Sequence, residues 1–245
     1  ELNPKNKILG KTGAPIRSDI EKVKLPVWLG SLDKIKPDTR KLEIWLEKYT
    51  GPYVVSDKLD GISGLLVYNK AGKLSIYTRG DGEIGQDISF LGDYLKLPRL
   101  KQDICIRGEL VMKKKTFEKK YAEVTFPKAR TAVNSVVNSK KPNISVIKDI
   151  DFVGYEIIKK NGDKWSTQFE QMEELGFTAA ARKTEKSLNQ KKLVSLLMKM
   201  KESSPYEIDG IVVSADEEYL RYTSGKPNYS VAFKVNNEGI ETVIE

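Results

Sequence analysis

The 245-residue sequence contains no histidine and a single cysteine, Cys105. Without histidine there is no Ser-His or Cys-His nucleophile pair, and a zinc site loses its commonest ligand. One cysteine excludes an internal disulfide framework and fits a reducing compartment. Cys105 lies in "DICIRGEL", where it reads as a strand residue facing the interior. No run of 18 apolar residues occurs, so no membrane-spanning helix is expected, and no apolar N-terminal segment has the form of a signal peptide. Internal repeats and low-complexity tracts are also missing.

What is present is a chain 39% hydrophobic, long enough for a substantial core, with a net charge of +8. That excess suits a polyanion, although a basic solvated surface gives the same number. The chain starts with Glu and ends in "GIETVIE", which reads as a strand beginning, so a piece of a longer or split protein is expected.

Residues 1–36 are polar and punctuated by Gly and Pro, which predicts an arm closing in the tight "LGSLDK" segment. Leu42, Trp45, Leu46 and Tyr49 share one helical face, with Asp38 or Thr39 as cap. "PYVVSD", "ISGLLVYN", "KLSIYTR", "ICIRGELVM", "DFVGYEII", "GIVVS" and "YSVAFKV" read as strands, with a turn at "NKAG". A Lys-rich helix is expected from 113. "STQFEQMEELGF" predicts a helix with Thr167 and Glu170 as a capping box and Gly176 as terminator. Leu193, Leu196, Leu197 and Met200 form a stripe expected to face the core. Strands and helices mix without regular alternation, which predicts an α+β fold with antiparallel sheets.

Charges interrupt several of these strands: Lys58, Asp60, Arg79, Glu109, Asp209 and Lys234. Any one alone reads as an edge or solvated face. Six together predict a polar pocket lined by several strands, because burying an unpaired charge costs several kcal/mol. Lys58 is the candidate nucleophile, and a lysine attacks only as the neutral amine. Arg79 and Lys234 would supply nearby cations or hold a phosphate. Glu109 and Asp209 would hold sugar hydroxyls or a divalent ion. Gly61 lets the backbone come close to a ligand.

"KLDG" at 58–61 resembles the Lys-x-Asp-Gly motif of covalent nucleotidyltransferases: DNA ligases, RNA ligases and mRNA capping enzymes. "RGE" at 107–109, "DFVGYEI", "EIDGIVV" at 207–213 and "VAFKV" at 231–235 resemble the companion motifs, in the family's order. "IYTRGDGEIGQDIS", "GSLDK", "FPKAR" at 126–130 and "SPYEIDG" narrow the resemblance to the adenylation domain of NAD-dependent DNA ligases.

The resemblance implies the covalent nucleotidyltransferase fold over residues 37–236, with 1–36 leading in and 237–245 opening a following oligonucleotide-binding domain. It implies that Lys58 takes AMP from NAD and passes it to the 5′-phosphate of nicked double-stranded DNA, with Mg²⁺ as metal. Glu109 would bind ribose and Tyr155 would stack on adenine. Arg79 and Lys234 would contact ribose and phosphate. Ser31, Leu32 and the backbone near Ser56 would border the adenine. Asp60 and Asp209 would orient the lysine and the metal, and Arg130 would face the nick phosphate. Ser56, Asn138 and Ser214 depart from the family pattern, where a glutamate, an arginine and a lysine are expected, which implies a divergent viral or phage branch. Lys140 and Lys141, just after Asn138, would supply replacement phosphate contacts. A monomer in a cytoplasmic setting is expected, with flanking ligase domains or a separate subunit. The alternatives are an ATP-dependent DNA or RNA ligase, a capping-type transferase, and a non-catalytic nucleic-acid-binding module; the intact charged set argues against the last.

Overall fold

Apolar runs rich in Val, Ile, Leu and Tyr over 53–59, 62–68, 104–112, 150–157 and 208–215 form the long strands of two sheets. The computed structural model describes residues 22–37, 40–122 and 125–235. In chain order the elements are β1 (Lys22–Lys24), β2 (Asp33–Ile35), α1 (Arg40–Lys48), β3 (Tyr53–Leu59), β4 (Ile62–Tyr68), β5 (Leu74–Thr78), β6 (Ile84–Gln86) and β7 (Ile104–Met112). They continue with α2 (Lys114–Lys120), α3 (Ala129–Val137), α4 (Ile144–Ile147), β8 (Ile150–Ile157), β9 (Asn161–Gly162), α5 (Trp165–Glu174) and β10 (Thr178–Ala179). The chain then forms β11 (Arg182–Glu185), α6 (Gln190–Ser203), β12 (Ile208–Ala215), β13 (Tyr219–Leu220) and β14 (Ser230–Phe233).

One five-stranded sheet runs β10-β8-β7-β4-β5 and the other β11-β3-β12-β14-β2. The expected α+β class holds, and most pairs are antiparallel. Each sheet nevertheless carries one parallel edge pair, β10 with β8 and β14 with β2. The β8–α5–β10 path is a helical crossover, which returns a strand in the same direction as a hairpin cannot. β2 and β14 come from opposite ends of the described chain, so no hairpin constrains them.

A continuous core joins the inner faces of the sheets to the helices, with Phe169 and Phe233 among its largest fully buried side chains. α5 packs on β8, α3 on β7 and α6 on β12. Leu42 and Trp45 of α1 are buried, and Leu193, Leu196, Leu197 and Met200 of α6 all face the core as their spacing predicts. Residues 22–36, read as the end of an arm, lie against the sheets: β1 pairs with β6, and Leu25 and Leu29 are buried. Cys105 sits partly buried on β7, where burial pushes its thiol pKa up.

The start of α5 corrects the sequence reading. The helix begins at Trp165 with Lys164 as cap and no side-chain cap, so Thr167 lies inside the first turn. The Ser166 N–H instead donates to Asp216 Oδ1 at 2.9 Å, a carboxylate supplied from beyond β12. A distant partner therefore does the work that the local Thr-x-x-Glu pattern mimics. Gly176 ends the helix as expected, with φ +86°. The cap expected for α1, Asp38 or Thr39, and the closing "GIETVIE" strand lie outside the described residues.

Candidate active site

β3 and β12 lie side by side and antiparallel, with Lys58 opposite Gly210 and Leu59 opposite Ile208. Asp209 is the extra residue between them. The bulge turns its carboxylate out of the regular alternation and toward Lys58. Lys58 Nζ stands 3.0 Å from Asp209 Oδ1 and is aligned for a hydrogen bond with Oδ2 at 3.3 Å. Lys234, one residue past β14, donates to Oδ2 at 2.5 Å. Two cations from two strands thus share one partly buried carboxylate.

A second bulge faces the first across the cavity. Between β7 and β8, Arg107 pairs with Glu156 and Gly108 with Gly154, which leaves Tyr155 as the extra residue. Its ring enters the cavity beside Glu109. The Tyr155 hydroxyl lies 3.1 Å from Ser63 Oγ and donates toward Glu109 Oε2 at 3.5 Å. Gly108 is required here: a Cβ would meet the Val153 carbonyl at 2.5 Å and the Phe152 ring at 2.4 Å. The Arg107 guanidinium lies over the Tyr155 ring, 5.7 Å from its centroid, and donates to the Gly30 carbonyl at 2.8 Å. Burial is the main cause that pushes the Glu109 carboxyl up to about 7, against the opposing pull of Lys58, Arg107, Arg130 and Arg79.

These side chains line a cavity of about 890 Å³ between the two sheets. Of the residues expected at the site, Ser31, Leu32, Ser56, Lys58, Arg79, Glu109, Arg130, Tyr155, Asp209 and Lys234 line it. Asp60 stands at its edge, with its Oδ1 accepting from Arg130 Nη1 at 2.7 Å. Lys140 and Lys141 are exposed beyond the C-terminus of α3 and do not reach the cavity. Among the described residues no group of three His, Cys, Asp or Glu side chains forms a metal cage. Asp60 is paired with an arginine and Asp209 with two lysines, so the two carboxylates do not stand as a free acidic pair.

The departures from the family pattern are accommodated locally. Ser214 is buried and receives a hydrogen bond from Ser230 Oγ at 2.7 Å, which gives that wall neutral hydroxyls. Asn138 caps α3 and donates to Asn134 Oδ1 at 2.7 Å. The roof joins residues 28–33 to the 221–229 loop: Trp28 Nε1 donates to the Gly225 carbonyl at 3.1 Å, and Lys226 Nζ to Asp33 Oδ1 at 2.7 Å.

Sequence reasoning missed the wall behind Tyr155. Arg221 Nε donates to Glu156 Oε1 at 2.7 Å, and Arg107 Nη1 lies 3.8 Å from Glu156 Oε2. Arg107 was visible within "RGE" and Glu156 beside Tyr155, but nothing local tied either to Arg221. Chemically, the cavity offers an aromatic platform, a carboxyl that can accept from hydroxyls, and several cations around one lysine. That set suits a nucleotide whose phosphate is brought to an amine.

Comparison with known proteins agrees. The model of the NAD-dependent DNA ligase adenylation domain matches residues 29–238. A DNA ligase of Acanthamoeba polyphaga mimivirus is 45% identical over 252 residues, covering 100% of this chain and 39% of the viral protein. A putative DNA ligase 205R of Invertebrate iridescent virus 6 is 40% identical over 233 residues, 91% of this chain and 37% of that protein. A bacterial DNA ligase, from Brachyspira hyodysenteriae, is 28% identical and covers 100% of this chain and 41% of its own length. The chain thus spans about two fifths of the curated relatives it matches. Among solved structures, the ligase domain of M. tuberculosis LigD superposes with a TM-score of 0.50 at 10% identity, over 84% of this chain and 60% of that one, a likeness of fold alone.

Proposed function

The chain belongs to the NAD-dependent DNA ligase adenylation domain family, and on that footing we propose that the complete protein seals nicks in double-stranded DNA through an AMP carried on Lys58. Lys58 Nζ attacks the α-phosphorus of NAD. An N–P bond forms, the pyrophosphate P–O bond breaks, and nicotinamide mononucleotide leaves. Asp209, in contact with Nζ, is placed to take up the lysine proton. The 5′-phosphate of the nick then displaces Lys58 from the AMP phosphorus. Finally the 3′-hydroxyl attacks the 5′-phosphate and AMP departs. Positioning and charge stabilisation account for most of such phosphoryl chemistry.

In this reading Tyr155 stacks on adenine, Glu109 accepts from the ribose hydroxyls, and Arg79 and Lys234 hold ribose and phosphate. Ser31, Leu32 and Ser56 border the base, and Arg130 meets the nick phosphate after leaving Asp60. Asp60 and Asp209 would orient Mg²⁺, which would supply charge stabilisation at the NAD phosphates; without ligand Asp60 pairs with Arg130 and Asp209 with Lys58 and Lys234. The domain occupies residues 37–236, preceded by an arm of which residues 22–36 lie against it and followed by an oligonucleotide-binding domain, in a cytoplasmic monomer. No helix among the described residues is long and apolar enough to cross a membrane.

The observation that carries the proposal is the convergence of Lys58, Asp209 and Lys234 with Glu109 and Tyr155 on one cavity. The test is intact-mass analysis of the complete protein after incubation with NAD or with ATP. An AMP adduct formed from NAD is the expected result. An adduct from ATP and none from NAD would move the protein to the ATP-dependent class.

A further inference from the structure

Beside Lys58 the chain buries a second ionisable group that the proposed chemistry does not use. Asp57 is only 5% exposed. Asp57 borders the cavity together with Ser56 and Lys58, but strand alternation turns its carboxylate toward the opposite face of β3. There its Oδ2 accepts from Ser204 Oγ at 2.6 Å, while its Oδ1 meets no donor among the described residues. Burial raises its carboxyl pKa, against the pull of Ser204 and Lys114. An apolar side chain of similar size would be cheaper at such a position.

Ser204 is the C-cap of α6 and begins the loop that enters β12. Its backbone N–H donates to Met200 O at 2.8 Å. Its Oγ, while donating to Asp57, accepts from the Tyr206 N–H at 3.3 Å. One residue further on, the Asp60 N–H donates to the Glu207 carbonyl at 2.9 Å. The bulge at Asp209 comes next, and Gly210 rejoins the ladder opposite Lys58. The loop feeding the bulge is thus tied to Asp57 of β3 and to Asp60 just past its end, the first by a side-chain bond across 147 residues of sequence.

We propose that Asp57 is a positioning residue for the lysine chemistry: through Ser204 it fixes the 204–208 loop, and with it the bulge that aims Asp209 at Lys58. The inference rests on Lys58 being the adenylated residue. The Asp57 carboxylate is engaged by Ser204 rather than by Lys58 Nζ, so it acts on how often Lys58 and Asp209 are in register rather than on nucleotide binding.

The experiment is single-turnover AMP-lysine formation by the complete protein across an NAD series, with Asp57→Leu, Asp57→Asn and Ser204→Ala beside the wild type. Asp57→Leu and Ser204→Ala should lower the maximal rate about ten- to a hundredfold, while the half-saturating NAD concentration stays within about twofold. Asp57→Asn keeps an oxygen that accepts from Ser204 and should recover most of the rate. Wild-type rates in both Asp57→Leu and Ser204→Ala would overturn the inference. So would rate losses that merely follow a falling melting midpoint and a rising half-saturation. If Asp57→Leu does not fold, Ser204→Ala decides alone, since it removes only one hydroxyl. Wild-type protein that forms no AMP-lysine would sink the parent reading and this one with it. Wild type that forms it while both variants keep pace would sink this one only.

Discussion

Lys58 and Lys234 both donate to Oδ2 of the same carboxylate, Asp209, and Lys58 also stands 3.0 Å from its Oδ1. Structurally the two lysines are near equivalents. Each is about one quarter exposed, and each shares the single countercharge. Partly solvated pairs of this kind contribute about 1 kcal/mol or less. Lys58→Ala and Lys234→Ala should therefore shift thermal stability similarly and little. Only Lys58→Ala should abolish covalent AMP, as read by intact mass. An adduct persisting on another lysine in that variant would refute the assignment.

Glu109 gives the ligand-free protein a defined pH dependence. Its folded pKa, about 7, lies above the ordinary value of 4.5. Between those values the folded state holds a proton that the unfolded state has released. Stability from this group is thus complete below about pH 4.5 and is lost as pH rises toward about 7. Glu109→Gln should flatten that loss in melting curves taken across the window. Lys58→Ala should move the window upward, because Lys58 is the strongest influence lowering the Glu109 pKa.

Gly210→Ala should damage the site at its bulge. The added Cβ would fall 2.6 Å from the Phe233 carbonyl and 2.9 Å from Lys234 Cγ. The expected cost is about 1–3 kcal/mol by chemical denaturation, together with slower AMP-lysine formation because Lys234 is displaced.

Lys140 and Lys141 should report the DNA path. Neutralising both in the complete protein should weaken nick binding more at low salt than at high salt, with the slope of log affinity against log salt falling by about one per lost phosphate contact. Asn138→Arg should change little, since Asn138 is engaged in capping α3. Parallel salt lines for wild type and the double variant would mean that the lysine pair touches no phosphate.

The strands that carry Lys58, Glu109 and Lys234 were readable because each charge is flanked by short apolar runs rich in β-formers. The convergence of those charges was readable too, since six half-buried charges in or beside strands need one another. The bulges were not readable. Asp209 and Tyr155 look in sequence like ordinary alternating positions, and only the register of the neighbouring strand shows each to be an extra residue. The cap of α5 was misread for a related reason: a local pattern cannot reveal that Asp216, fifty positions away, takes the Ser166 N–H. Asp57 was passed over because an acidic residue beside a motif lysine reads as part of the motif rather than as a buried group on the opposite face.

The two bulges set folding against chemistry. Removing one residue at either would let the ladder close without interruption: β7 against β8 without Tyr155, β3 against β12 without Asp209. The shortened chain would have the more regular sheet and lack either its aromatic platform or the carboxylate shared by its two lysines. Single-residue deletion at 155 or 209 would therefore regularise a ladder at the cost of a side chain that lines the cavity.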